Sequence, residues 1–300
     1  MTAEPSPPLS MDDTDRTLLD RLQASIPLVP QPFAAVAAEL GLREKNLLDR
    51  LKRLRGPGGP VRTIAAVFDA GVLGYRSTLV AARVAPEQID PAAAVIGEHP
   101  GVTHCYQRDH EFNLWFTLTV PPDTALGLDA TIEQLAERSG VRGMLSLPAV
   151  RTFKIGLFLP QRIGMPTPAP QPASAAAVDL TDEHRTAVRA LARELPLVPH
   201  PFAAMAVRAG MPDDRLLERA GELAAGGALR RVAVLLSPTR AGFPANRMVA
   251  WAMPEAAIEA AGRRLAGLPE VSHCYQRRTA PEWTFALFAM MHGRNAGQLR

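Results

Sequence analysis

Two stretches decide how this chain folds: Pro27-Leu28-Val29-Pro30-Gln31-Pro32-Phe33-Ala34-Ala35 and Pro196-Leu197-Val198-Pro199-His200-Pro201-Phe202-Ala203-Ala204. Eight of the nine residues are identical, at an offset of 169 positions. His104-Cys105-Tyr106-Gln107-Arg108 returns unchanged as His273-Cys274-Tyr275-Gln276-Arg277 at the same offset. Between these markers Gly74-Tyr75 matches Gly242-Phe243 and Pro86 matches Pro254 at an offset of 168, so a small indel lies on each side. A chain of 300 residues suggests two domains at roughly 100–200 residues each. The repeat makes them two copies of one unit.

Within a copy, Asp15 to Ala24, Pro32 to Leu40 and Glu44 to Leu54 read as short helices, with Gly41 at a turn, the pattern of a helix-turn-helix. Gly56-Pro57-Gly58-Gly59-Pro60 breaks helix, and Val61 to Phe68 reads as a strand. Strand Tyr75–Val84, helix Pro86–Glu98, strands Val102–Arg108 and Phe112–Val120, helix Thr124–Arg138 and strand Val150–Leu157 follow. That order is βαββαβ, a ferredoxin-like α+β unit. The second copy repeats it from Thr181, with its strands at Ala228–Leu236, Arg247–Met253, Val271–Arg277 and Glu282–Met290. It is expected to lack its last helix and strand, unless the second sheet is completed some other way. The expected organisation is a disordered tail over 1–12, helix-turn-helix units over 13–60 and 179–226, and ferredoxin-like domains over 61–160 and 227–300. A Pro/Ala/Ser linker spans 161–178.

Composition narrows the function classes. Two cysteines cannot staple a secreted scaffold, and no Cys/His spacing suits a structural zinc. No apolar run approaches the ~18 residues of a membrane span. The chain thus reads as a soluble cytoplasmic protein with reduced thiols. Its net charge of +3 favours anionic partners only weakly.

A helix-turn-helix followed by a ferredoxin-like domain resembles the Lrp/AsnC transcription regulators, which raises the question of DNA. Arg43 to Arg55 holds six bases against two acids, but the matching Asp213 to Glu222 holds four acids against two bases. Phosphate neutralisation supplies most DNA affinity, so a helix opening Asp213-Asp214 is a poor reader. Pro212 and Gly221 also weaken it as a helix. Nucleic acid is therefore an unlikely partner, and these helices are expected to serve packing and association.

Alternation along a strand places His104, Tyr106 and Arg108 on one face, with His110 following on the same parity. Phe112, Leu114, Phe116 and Leu118 form an apolar face, leaving Asn113 and Trp115 on the other. A ferredoxin-like sheet carries helices on one face only, so His104, Tyr106, Arg108, Asn113 and Trp115 are expected on the open face. Copy two repeats His273, Tyr275 and Arg277, then diverges: Thr279 stands for His110, Glu282 for Asn113, and His292 appears where copy one has Asp123. Unequal titratable groups in two copies suggest a site between halves with unequal roles. Cys105 and Cys274 read as small buried residues.

Several motifs together resemble the siroheme decarboxylases: Pro27–Phe33, Gly74-Tyr75, Pro100–Arg108, and above all Arg108-Asp109-His110-Glu111-Phe112-Asn113-Leu114-Trp115-Phe116-Thr117. Ser272–Arg277, Trp283 and Met290-Met291-His292-Gly293-Arg294 carry it in the second half. The resemblance covers nearly the whole chain outside tails and linker, and fits the form in which two related subunits are fused. It implies loss of the C12 and C18 acetate carboxylates of siroheme as carbon dioxide, on a route to heme d1 or heme b. Eight carboxylates call for cations, with Arg108 and Arg277 the candidates. A flat macrocycle favours aromatic walls, with Trp115, Tyr106 and Tyr275 available and Asn113 as polar support. The departing carboxylate leaves carbanion-like density that needs a proton. His110 is the leading acid/base, with His104, His273 and His292 as alternatives, and one of them is a candidate axial ligand to the substrate iron. No structural metal and no cofactor beyond that iron is expected. Association with a second copy or with related decarboxylase subunits is a further expectation. A DNA-binding regulator and a non-catalytic tetrapyrrole carrier are the rival readings.

Overall fold

The structure is a computed structural model and describes residues 9–162 and 179–299. The expected linker, apart from Gln161 and Arg162, lies outside the described residues, as do the first eight residues of the expected tail. Leu9 to Asp12 are part of the fold rather than of a tail. The Leu9 amide donates to Gly58 O, and Asp12 caps the first helix by accepting from Asp15 N at 2.7 Å. Gln161 is likewise packed, with its amide on the buried Asp20.

The first helix-turn-helix is α1 (Asp13–Ala24), α2 (Pro32–Glu39) and α3 (Glu44–Arg55). Pro32 opens α2 where a missing N–H costs nothing, and Gly41 takes a φ of +67° that a β-carbon would resist. The second set, α6 (Asp182–Leu191), α7 (Pro201–Ala209) and α8 (Asp213–Ala225), repeats this down to Gly210 at +67°. α8 forms despite Pro212 and Gly221. Proline sits at its N-cap, and Leu216, Ala220 and Leu223 bury one face.

Strands β1 (Val61–Phe68) and β7 (Leu229–Leu236) pair antiparallel with each other, one from each copy. The pairing is reciprocal. Ile26 N donates to Val232 O at 2.6 Å, and Leu195 N donates to Ile64 O at 2.7 Å. Asp69 N donates to Ala228 O and Ser237 N to Pro60 O, both at 2.8 Å. Gln31 and His200, which are equivalent positions, meet at 3.2 Å. This is the pattern of a two-fold dimer, written in one chain. Both helix sets share one core around the ribbon, from Leu18, Phe33 and Leu51 to Phe202, Leu216 and Leu223.

Four of the five bases of α3 are paired with acids. Arg50 and Arg53 both pair with Asp15, which is 0% exposed, while Arg55 pairs with Glu194 and Lys45 with Asp49. Such pairing fits packing rather than phosphate contact.

Two four-stranded sheets follow. The first runs β3-β4-β2-β5, from β2 (Arg76–Ala82), β3 (Val102–Gln107), β4 (Leu114–Val120) and β5 (Met144–Leu147). Helices α4 (Ile89–Gly97) and α5 (Gly127–Ser139) cover one face, burying Val80, Leu114, Phe116 and Ile132. The second runs β6-β9-β10-β8, from β6 (Ala149–Ile155), β8 (Ala245–Trp251), β9 (Val271–Arg277) and β10 (Leu287–Gly293), under α9 (Glu255–Ala266). The uncovered faces meet each other, burying Ala81, Trp115, Leu147 and Phe288.

The strand expected to close the first sheet therefore does not close it. Met144–Leu147, too short to read in sequence, takes that place beside β2. Pro148 then interrupts the ladder, because it has no N–H to donate, and β6 crosses to pair with β9. The first ferredoxin-like unit, expected over 61–160, thus gives β1 to the shared ribbon and β6 to the other sheet. The second, expected to lack a strand, has four, the fourth joined at the β9 edge rather than beside β8. The turn Ala296–Leu299 packs on β8 and β10.

The crossing strand is seated through a close approach. A β-carbon on Gly262 of α9 would lie 2.4–2.6 Å from three ring carbons of Phe153. Gly262→Ala gains up to ~1 kcal/mol of helix propensity but overpacks at a typical cost of ~1–3 kcal/mol. The variant is expected to lower the denaturant midpoint and to lower amide-exchange protection in β6 before other strands. Unchanged protection of β6 would contradict the packing.

Candidate functional site

Alternation works in β3 and β9 as the sequence suggests. Cys105 and Cys274 turn toward the helices, with Cys274 fully buried, so their neighbours turn toward the other sheet. The two ribbons share one geometry. The His104 and Tyr106 rings are 5.9 Å apart, and those of His273 and Tyr275 6.1 Å. The Arg108 guanidinium lies 4.8 Å above Tyr106, and that of Arg277 4.9 Å above Tyr275. Thr103 Oγ1 meets His104 Nδ1 at 3.0 Å, as Ser272 Oγ meets His273 Nδ1 at 2.8 Å.

Their surroundings differ. β3 is an edge strand, and Tyr106 is 50% exposed. β9 lies between β6 and β10, under the opposite sheet. Burial pushes the Tyr275 hydroxyl up to about 12 and the Arg277 guanidinium down to about 10. It pushes His273 down to about 4, and the positive charges of His292, His104, Arg277 and Lys154 add to this.

The second ribbon is rich in cations and poor in acids. Arg277 donates to Leu147 O at 2.7 Å and rests on the Tyr275 and Phe288 rings, while its buried Nε has no partner. On β7, Arg230 pairs with Asp69 at 2.6 Å. Its neighbour Arg231 stands close to Gly156, one residue past Ile155, the partner of His273 in the ladder. Burial and the charge of Arg230 push the Arg231 guanidinium down, and its buried Nε has no partner. Among the described residues no carboxylate pairs with Arg231 or Arg277. A partly desolvated cation with no counter-ion costs stability, and an incoming carboxylate offsets that cost.

A cavity of about 830 Å³ opens where α1, the segment after β6 and the ends of β9 and β10 converge. Arg16, Phe158, Phe243, Ser272, His292 and Arg294 are in its wall, with the acids Asp13 and Glu270. Arg294 lies 4.6 Å over Phe243 and donates to Pro160 O at 2.9 Å. His292 Nε2 meets Ser272 Oγ at 3.0 Å, its Nδ1 is buried without a partner, and burial lowers its pKa.

Two expected site residues, Trp115 and Asn113, stand elsewhere. Trp115 is 4% exposed, in the core between the sheets, with Nε1 donating to Phe112 O at 2.6 Å, so it cannot offer a face to a ligand. The open face on which it was expected is closed by the second sheet. Asn113 precedes β4 and clamps the end of β2, accepting from Val84 N at 2.9 Å and donating to Val84 O at 2.7 Å. Phe112 also lies before the strand and packs between the sheets with Trp115, not with Leu114 and Phe116. His110, exposed in the β3–β4 turn, accepts from Phe112 N on Nδ1 at 3.0 Å and sits edge-on to Trp283 at 5.3 Å. A neutral imidazole that accepts on Nδ1 carries its proton on Nε2.

Sequence reading gave no role to Arg231, nor to Ser272 and Arg294, although these two lie in stretches that carry the family resemblance. Arg230-Arg231 opens an otherwise apolar strand, and copy one has Arg62-Thr63 at the matching place, which is a readable divergence. Ser272 matches Thr103 and shows no such divergence in chemistry, both being hydroxyl residues. Among the described residues no group of three or more His, Cys, Asp or Glu gathers as a metal site. No helix there is long and apolar enough to cross a membrane.

Comparison with known proteins agrees with this architecture. The family described as "Siroheme decarboxylase NirDL-like HTH domain" matches residues 15–58 and 184–230, and "AsnC-like ligand binding domain" matches 72–154 and 240–300. A siroheme decarboxylase of Hydrogenobacter thermophilus is 40% identical over 291 residues, covering 94% of this chain and 84% of that protein. The siroheme decarboxylase NirDL subunit of Paracoccus denitrificans is 40% identical over 295 residues, covering 96% and 87%. The crystal structure of the siroheme decarboxylase NirDL superposes with a TM-score of 0.74 at 37% identity, covering 96% of this chain and 84% of that one. Another, in complex with an iron-uroporphyrin III analogue, superposes at 0.73 with 36% identity and the same coverage. Shared sequence over both repeats and a shared two-lobed fold make this chain a member of the siroheme decarboxylase family.

Proposed function

We propose that this chain decarboxylates siroheme, releasing two acetate carboxylates as carbon dioxide and leaving methyl groups. The observation that carries the reading is two partly buried arginines along β9, Arg277 over Tyr275 and Arg231 by Gly156, neither paired with an acid among the described residues. Such a site is unfavourable when empty and suited to a polycarboxylate. Guanidinium groups take carboxylates in two-point contact, and the Tyr275 and Tyr106 rings supply flat walls for a macrocycle.

Chemistry requires a bond to break and a proton to arrive. The C–CO2 bond breaks, carbon dioxide leaves, and the electron pair stays on the methylene carbon, where the macrocycle spreads it. An imidazolium gives its proton to that carbon and regains one from solvent. Two acetates need two protonations. His110 gives up its Nδ1 bond from Phe112 N on taking a second proton and then has Nε2–H to donate, and His292 stands in the cavity wall with an unpartnered Nδ1. We assign these two as the donors. The iron is part of the substrate, and no further cofactor is needed for this step.

Anaerobic incubation with siroheme, followed by chromatography and mass measurement, is expected to show loss of two carbon dioxide units. A shifted absorption band with no loss of mass would identify a carrier instead. His110→Ala and His292→Ala are each expected to lower kcat by about 10²–10⁴-fold while siroheme binding, read from the absorption titration, changes little. Arg231→Met and Arg277→Met are expected to act in the opposite way. Each loses a charge-assisted contact worth ~1.5–3 kcal/mol, so siroheme binding weakens by about 10-fold or more. Each also removes an unpaired cation, so the thermal midpoint stays level or rises. A falling midpoint with undiminished binding would overturn this role for the arginines.

A further inference from the structure

Ser272 is 4% exposed and stands between two imidazoles. Its Oγ lies 3.0 Å from His292 Nε2, 2.8 Å from His273 Nδ1 and 3.2 Å from Met290 O. A hydroxyl has one proton to give and two lone pairs with which to accept. The Met290 carbonyl can only accept, so it takes the serine proton. Both lone pairs then face imidazole N–H groups. His292 consequently carries a proton on Nε2 and His273 on Nδ1. The His292 backbone is pinned as well, with its amide donating to Glu270 O at 2.8 Å.

We propose that Ser272 is a positioning residue for the decarboxylation, holding His292 by Nε2–H so that Nδ1 is the atom that gives and regains the proton. It holds His273 in a fixed tautomer through its second lone pair, which ties the cavity wall to the cation-rich ribbon. This rests on the functional reading above and adds to it the residue that sets which nitrogen works.

The repeat supplies an independent comparison. Copy one has the same couple, Thr103 Oγ1 with His104 Nδ1 at 3.0 Å. It has no third member among the described residues, because Thr119, and not Asp123 as a constant offset suggests, stands where copy two has His292: the Thr119 amide donates to Gly101 O as the His292 amide donates to Glu270 O. Thr103 and His104 are exposed, whereas Ser272 and His292 are buried. The hydroxyl–imidazole couple is therefore common to both halves, and the arrangement that orients an imidazole in the cavity wall belongs to the second half alone.

Two readouts test this on the full chain. The first is the 15N imidazole spectrum, assigned with His292→Gln and His273→Gln. Wild type is expected to show His292 as the Nε2–H and His273 as the Nδ1–H tautomer, and Ser272→Ala to show mixed tautomers for both. The second is steady-state decarboxylation. Ser272→Ala is expected to lower kcat by about 10-fold or more with KM within about twofold, the size of a lost orienting hydrogen bond. Ser272→Thr, the residue copy one carries, is expected to restore kcat to within about threefold. A purely structural serine would leave the kcat-to-KM split and the tautomers unmoved. Unchanged tautomers in Ser272→Ala, or a folded Ser272→Thr that does not recover, would overturn the proposal. Failure of wild type to release carbon dioxide would instead remove the decarboxylase reading, and the spectrum would still decide the hydrogen bonds.

Discussion

The antiparallel pairing of β1 with β7 is the contact on which the rest of the structure depends. It joins equivalent strands of two copies, and its reciprocal bonds from Ile26 and Leu195 give the chain a two-fold axis of its own. That axis puts both helix sets in one core and turns the uncovered sheet faces toward each other. A single ferredoxin-like sheet would leave one face to water. Two of them, set face to face, bury Trp115, Phe112 and Phe288 between them. Those buried rings hold in place the strands that carry the histidines and arginines.

Within this near-symmetry the halves are used differently. The same His-x-Tyr-x-Arg ladder lies on an edge strand in one half and inside a four-stranded sheet in the other. β6 makes the difference by crossing to cover β9. Among the described residues the covered ladder holds Arg277 without a carboxylate, Arg231 by Gly156 has none either, and the His273 imidazole is lowered to about 4 by burial and by other cations. Stability alone does not explain such an arrangement, since an apolar residue at Arg231 or Arg277 would be easier to bury. The helix-turn-helix units show the reverse pattern, with Arg50 and Arg53 satisfied by the buried Asp15. The paired cations of the helix units serve the fold, whereas Arg231 and Arg277 are the ones proposed to take a ligand's carboxylates.

Much of this was readable from residues. The repeated Pro-Leu-Val-Pro-x-Pro-Phe and His-Cys-Tyr-Gln-Arg set the duplication, and alternation put Arg277 on the face opposite Cys274, read as an open face. Three features were not readable, each for a physical reason. β5 has four residues, too few for a periodic signal, so Pro148 was not seen as the point where the chain leaves one sheet for the other. Trp115 reads as available because strand parity names a face but not what covers it. Ser272 is an ordinary small residue in a strand. It is the residue skipped in the ladder, between Val271 opposite Met291 and His273 opposite Met290, a register shift that Thr103 repeats in copy one and that sequence does not announce.

The central claim is that the unpaired arginines of the second half are the seat of the substrate's carboxylates. The most direct measurement is a crystal structure of this chain with an unreactive iron porphyrin bearing eight carboxylates. The account predicts carboxylate oxygens within hydrogen-bonding distance of the Arg231 and Arg277 guanidinium groups, with the macrocycle against Tyr275. A bound porphyrin that leaves both arginines without an acid would contradict it.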